Sequence, residues 1–206
     1  MFGLFKSKVK ALVIVDVQND FVPGGALAVP KGDEVVPFIN QLQRDFEIIV
    51  ATKDWHPKGH VSFASTHPRT KVGERVQLEV GSQLLWPDHC VQGTPGAELV
   101  KDLETAKIQK TFLKGVDANI DSYSGMFDNG NLRETGLRNF LRERNVKEVT
   151  IVGLATEYTV KLTAVDCKKQ GFDVTVLLDG CRGLEVKPGD TERAIREMKG
   201  IGILVK

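Results

Sequence analysis

ALVIVDV, residues 11–17, is a β-branched run that ends on an acid and reads as a strand. Similar runs return as EIIVAT at 47–52, IQKTFL at 108–113, EVTIVGL at 148–154, DVTVLL at 173–178 and IGILV at 201–205. Between several of them apolar residues recur at helical spacing. The clearest segments are 33–44 (Val35, Val36, Ile39, Leu42), 131–144 (Leu132, Leu137, Phe140, Leu141), 156–169 and 190–199. Strands alternating with helices imply βαβ units, and right-handed crossovers leave few ways to join them. The expected fold is a doubly wound α/β protein, with a mostly parallel six-stranded sheet covered by helices on both faces.

A chain of 206 residues fits one domain, taken here as 1–206, and is long enough to bury a substantial core. Its 28 Lys+Arg nearly cancel its 27 Asp+Glu, so no bulk field argues for nucleic acid or an anionic membrane. A small molecule is the expected partner, and self-association stays open. The N-terminal MFGLFKSKVK is basic, but the apolar run after it meets Asp16 too soon for a leader or a membrane span. Three cysteines, Cys90, Cys167 and Cys181, suit reduced thiols in a cytoplasmic compartment better than a disulfide framework.

From Asp54 to about Ala106 the rhythm breaks, with Pro57, Pro68, Pro87, Pro95 and many glycines. A loop region this long inside a compact domain is usually functional or disordered. All four histidines, together with Trp55 and Trp86, favour function.

Ligands of an open parallel sheet bind beyond the carboxyl ends of its strands, where strand order reverses. Polar groups stand at four such ends. Asp16 follows the first run, Asp54 and His56 the second, Lys114 closes the third, and residues 156–159 open the helix after the fourth. Each has a bland alternative: Asp16 as a strand-end cap, Lys114 as a solvated terminus, Thr156 as a plain N-cap. Beside an aspartate in a cleft, however, Lys114 would hold that carboxylate ionised. Asp54 and His56, two residues apart in an extended segment, point the same way, and His89 would complete two imidazoles and a carboxylate. That donor set leaves positions open, as in catalytic zinc, iron or manganese sites. His67 is read as surface; His60 divides between support of the metal and loop packing. Phe21 and Trp86 are either walls for a flat ring or plugs of the core. In GLATEYTVKLTA the amides near Ala155 and Thr159 are placed to receive an oxyanion.

Taken in order, VDVQNDFVPGGAL, TKDWHPKGHVSF, WPDHCVQGT, FLKGVD, DSYSGMFDN, GLATEYTV and LLDGCRG resemble the nicotinamidase branch of the isochorismatase-like hydrolases, from about Val13 to Gly183. The resemblance implies a Rossmann-like three-layer fold and the conversion of nicotinamide, or pyrazinamide, to the acid and ammonia. It implies Asp16 as proton shuttle, Lys114 as its triad partner, and Asp54, His56 and His89 as ligands of one divalent metal, zinc first, with iron or manganese as alternatives. Phe21 and Trp86 would stack on the ring, and Tyr123 would join them. The family usually reads GLATDYCV, where this chain has Glu157 and Thr159. A thiolate at a helix N-terminus reaches pKa values of roughly 4 to 7, which a secondary hydroxyl does not approach. Cys167 is no substitute, since it lies about 12 Å along the helix from Thr159.

Three expectations follow. The chain is a nicotinamidase-type amidohydrolase, weakly active through Thr159 or altered there by mutation; or a vinyl-ether hydrolase using Asp16 as general acid without a covalent nucleophile; or a catalytically silent binder of metal and pyridine ligand.

Overall fold

The computed structural model describes residues 8–206; most of the N-terminal stretch, residues 1–7, lies outside them. In chain order the elements are β1 (Val9–Val15), α1 (Val35–Leu42), β2 (Ile48–Asp54), β3 (Arg75–Leu78), β4 (Gly81–Leu84), β5 (Lys110–Lys114), α2 (Leu137–Glu143), β6 (Val146–Leu154), α3 (Lys161–Lys169), β7 (Asp173–Arg182), α4 (Asp190–Gly200) and β8 (Leu204–Val205). Six strands form one sheet in the order β5-β2-β1-β6-β7-β8. Every neighbouring pair in it is parallel. Among the described residues no helix is long and apolar enough to cross a membrane.

β1 shows why the sheet is buried on both faces. Its residues alternate sides: Ala11, Val13 and Val15 enter one cluster with Leu137, Leu141, Ala164, Cys167 and Met198 of α2, α3 and α4. Leu12 and Ile14 enter the other, with Val35, Val36 and Ile39 of α1. A strand with apolar partners above and below has no solvent face to keep polar, hence the continuous run.

From β1 the chain steps to β2 and β5 on one side, then returns to β6 on the other. The crevice beyond the carboxyl ends of β1 and β6 is therefore the switch point of the sheet.

Several boundaries differ from the sequence reading. The segment 131–144 is helical only from Leu137, because Asn131 and Gly136 adopt positive φ, and Leu132 is left 69% exposed. The predicted run 156–169 begins with a π-helical turn, Thr156–Val160, before α3. Only Leu204 and Val205 of the last run are strand, since Gly202 turns the chain just before them. Within the 54–106 region, β3 and β4 form an antiparallel hairpin that the sequence reading did not foresee.

Candidate active site

Asp16 leaves β1 with φ 49°, a conformation that aspartate tolerates better than most residues, and this turn keeps its carboxyl inside the protein. Thr52 of β2 donates to its Oδ1 at 2.6 Å. Lys114 ends β5 directly opposite Asp54 in the parallel register. Its ammonium lies 2.5 Å from Asp54 Oδ1 and 2.8 Å from Asp16 Oδ2, and donates to the Ser122 carbonyl at 3.0 Å. One cation thus serves two carboxylates, all buried. Lys114 is no solvated terminus.

Burial raises the Asp16 carboxyl to about 6, partly offset by Lys114, while Asp54 adds to the rise. For Asp54 burial acts the same way, but the Lys114 ammonium and both imidazoles outweigh it and hold the group well below its ordinary range. Burial opposes the Lys114 charge as well, yet the two carboxylates prevail and raise it. The two acids therefore differ sharply in proton affinity, as an acid–base partner and a permanent anion must.

His56 and His89 each use Nδ1 on a backbone carbonyl, Gly115 at 2.9 Å and Pro87 at 2.7 Å. When Nδ1 donates, Nε2 carries the lone pair. Those Nε2 atoms stand 3.7 and 3.9 Å from the two oxygens of Asp54. The three donor atoms lie within 4.8 Å of one another, so these groups could hold a divalent metal in a site closed on the protein side and open towards the pocket. Burial, with the neighbouring His56, lowers His89 to about 4, which leaves a neutral imidazole at pH 7. Gly115 makes room for this arrangement: a Cβ there would fall 2.3 Å from His56 Cε1.

His60 is buried, stacks on His56 at 4.1 Å between ring centroids and engages Ser62 at 2.8 Å through Nδ1. With His56 and Asp121 it forms a second close group of donor atoms. His67, read as surface, is half-buried because its Nε2 meets the Val61 carbonyl at 2.8 Å.

Phe21, Trp86, Tyr123, Ala155 and Thr159 line the same pocket as Asp54, His56 and His89. Phe21 packs against His89 at 5.6 Å. Trp86 donates its indole N–H to the Tyr123 hydroxyl at 2.9 Å and meets Tyr158 edge-on at 5.1 Å. The Thr159 hydroxyl is turned back onto the Leu154 carbonyl. Asp16 and Lys114 lie behind this lining, fully buried.

Sequence reasoning missed several contributors, Asp121, Leu27 and Val29 of the pocket lining among them. Gln18 clasps the Asp54 backbone, donating to its carbonyl and accepting from its amide, each at 2.8 Å. Asp20 accepts the Cys90 amide at 2.7 Å and so ties the Phe21 turn to the loop bearing His89. Both stand in the quoted VDVQNDF, and the run of polar residues straight after the buried strand was the available signal. Tyr158 adjoins Thr159 in sequence. Leu184 lines the pocket from a distant segment, with no local signal.

Residues 10–205 match the isochorismatase domain family. The chain belongs to that family. Among its isochorismatase-family relatives, the nicotinamidase of Acinetobacter baylyi is 45% identical over 94% of this chain and 90% of its own length. A nicotinamidase/pyrazinamidase structure from Acinetobacter baumanii superposes with a TM-score of 0.93 at 44% identity, covering 97% of this chain and 96% of that one. The pyrazinamidase of Pyrococcus horikoshii, solved in complex with zinc, gives 0.77 at 42% identity over 96% and 98% of the two chains.

Proposed function

We propose that this chain is a metal-containing amidohydrolase of the nicotinamidase type, acting on nicotinamide and on pyrazinamide, with threonine at the position of the attacking group. One observation carries the reading. A buried Asp16–Lys114–Asp54 cluster borders a set of two imidazoles and a carboxylate whose donor atoms lie within 4.8 Å of one another. The likeness to nicotinamidases along nearly the whole chain supports the same substrate class.

Asp54, His56 and His89 would hold the metal, and zinc is favoured by this donor set and by the zinc of the Pyrococcus relative. When bound there, it supplies a Lewis-acid anchor for the pyridine nitrogen. Phe21, Trp86 and Tyr123 enclose the flat ring, so the 54–106 region of a single domain provides the anchor and one wall, Trp86, while Phe21 and Tyr123 come from outside it. Lys114 keeps Asp16 ionised near neutrality. Asp16 takes the proton of the attacking group as that group bonds to the carboxamide carbon. The amides of Ala155 and Thr159 receive the developing oxyanion. Asp16 returns the proton to the departing amine, ammonia leaves, and water releases the acid from the acyl ester. The three buried free thiols fit a reducing, cytoplasmic setting.

One observation favours the catalytically silent reading for the chain as it stands: the Thr159 hydroxyl spends its proton on the Leu154 carbonyl rather than on Asp16. Ammonia release from nicotinamide by metal-replete protein, beside Thr159→Cys, separates the two. Turnover that neither protein shows, with metal bound, overturns the amidase reading.

A further inference from the structure

Glu157 is buried two residues before Thr159, in the same π-helical turn. Its Oε1 accepts the amides of Leu184 at 2.8 Å and Glu185 at 2.6 Å, and its Oε2 accepts the Thr191 hydroxyl at 3.4 Å. A carboxylate out of water needs such donors, and amide bonds to a charged acceptor are among the stronger ones. The approach depends on Gly183, where a Cβ would fall 2.0 Å from Thr191 Oγ1 and 2.9 Å from Glu157 Oε2. Beyond it, Glu185 takes φ 53° and its own carboxylate accepts the amides of Gly189 and Thr191 at the start of α4. Leu184 and Glu185 are thus held through their amides by Glu157, and the Glu185 carboxylate ties them on to the start of α4, while Leu184 lines the pocket.

We propose that Glu157 is a positioning residue that couples the turn bearing Thr159 to the Leu184 wall, and that this coupling sets how large a ring the pocket admits. The inference rests on the nicotinamidase reading of the pocket. Its two amide contacts fix where this wall stands relative to the turn. Nothing in the chemistry requires Glu157 to touch substrate; it acts through two amides.

The test compares metal-replete parent, Glu157→Gln, Glu157→Asp and Glu157→Ala for calorimetric binding of nicotinamide and 5-methylnicotinamide, with hydrogen exchange read at the Leu184 and Glu185 amides. In Glu157→Ala the preference for the smaller ring shrinks about tenfold and both amides exchange at least about tenfold faster, while metal content is kept. Glu157→Gln, which keeps reach and an acceptor oxygen, restores the parent ratio; Glu157→Asp falls between. An unchanged ratio in Glu157→Ala with only a lower melting temperature overturns the proposal. Should that variant not fold, the Asp and Gln variants decide: Asp matching the parent while Gln loses selectivity overturns it. If the parent holds metal but binds neither amide, the functional reading fails separately, and equal exchange at the two amides in parent and variants then overturns the coupling.

Discussion

The Lys114 ammonium lies 2.8 Å from Asp16 Oδ2, and neither side chain reaches solvent. Because Asp54 shares the same ammonium, removing it strands two buried carboxylates at once. Breaking a buried ion pair from one side costs about 3–5 kcal/mol. Lys114→Ala should lose stability of that order in urea denaturation, and activity measured in a Thr159→Cys background should vanish. A loss below about 1 kcal/mol, as for a surface pair, would show that the cluster is solvated.

Thr159→Cys should raise nicotinamide hydrolysis by about 10²-fold or more over the parent, since a thiol at a helix N-terminus ionises far more readily than a secondary hydroxyl. Steady-state kinetics of parent, Thr159→Cys and Thr159→Ala, with mass spectrometry for an acyl adduct, provide the check. Parent and alanine variant equally slow would assign the residual rate to orientation and charge stabilisation rather than to Thr159. A cysteine variant no faster than alanine would remove the covalent route.

Purified protein should carry about one divalent metal per chain. The His56→Ala, His89→Ala double variant should lose it in elemental analysis, because both Nε2 lone pairs go. Metal retained in that variant would overturn the assignment, since His56 also belongs to the neighbouring group with His60 and Asp121.

Asp16 must be ionised to accept a proton, and its carboxyl sits at about 6. In Thr159→Cys, kcat/KM should therefore fall as pH drops through about 6. Stability carries opposite signs for the two acids. The raised Asp16 value favours the folded state at low pH, and that contribution fades as pH rises through about 6. The depressed Asp54 value contributes above its ordinary range and is lost on acidification.

Benzamide, which lacks the ring nitrogen, should bind at least about tenfold more weakly than nicotinamide, since a buried anchor would be left unpaired. Equal affinities in calorimetry would mean that the aromatic walls alone hold the ring.

Much of this architecture was legible because strand identity and strand-end chemistry are local. The run 11–17 declares a strand buried on both faces, and Asp16, Asp54 and Lys114 announce themselves by where the apolar residues stop. What local pattern cannot carry is meeting across the chain. Lys114 reads as a terminus until the register sets it opposite Asp54. Leu184 looks like any loop leucine until Glu157 captures its amide. The hairpin β3–β4 went unread although Arg75, Val76, Gln77 and Leu78 alternate polar and apolar, because strands of four residues carry too short a pattern to stand out in a glycine-rich loop region. Leu132 misled in the opposite direction: helical spacing put it in α2, but the turns at Asn131 and Gly136 leave it in water.

The three native thiols are all enclosed. Burial raises Cys90 and Cys167 well above the ordinary thiol range and lifts Cys181 to about 12. With threonine at 159, the described chain offers electrophiles and peroxides little to attack, so alkylating reagents should leave the folded protein unmodified. Placing cysteine at 159 would then introduce a single addressable sulfur in a background that is otherwise chemically quiet. The extent of its labelling by iodoacetamide, followed against pH, would read out that one group's ionisation directly, without a substrate and without correction for the other three.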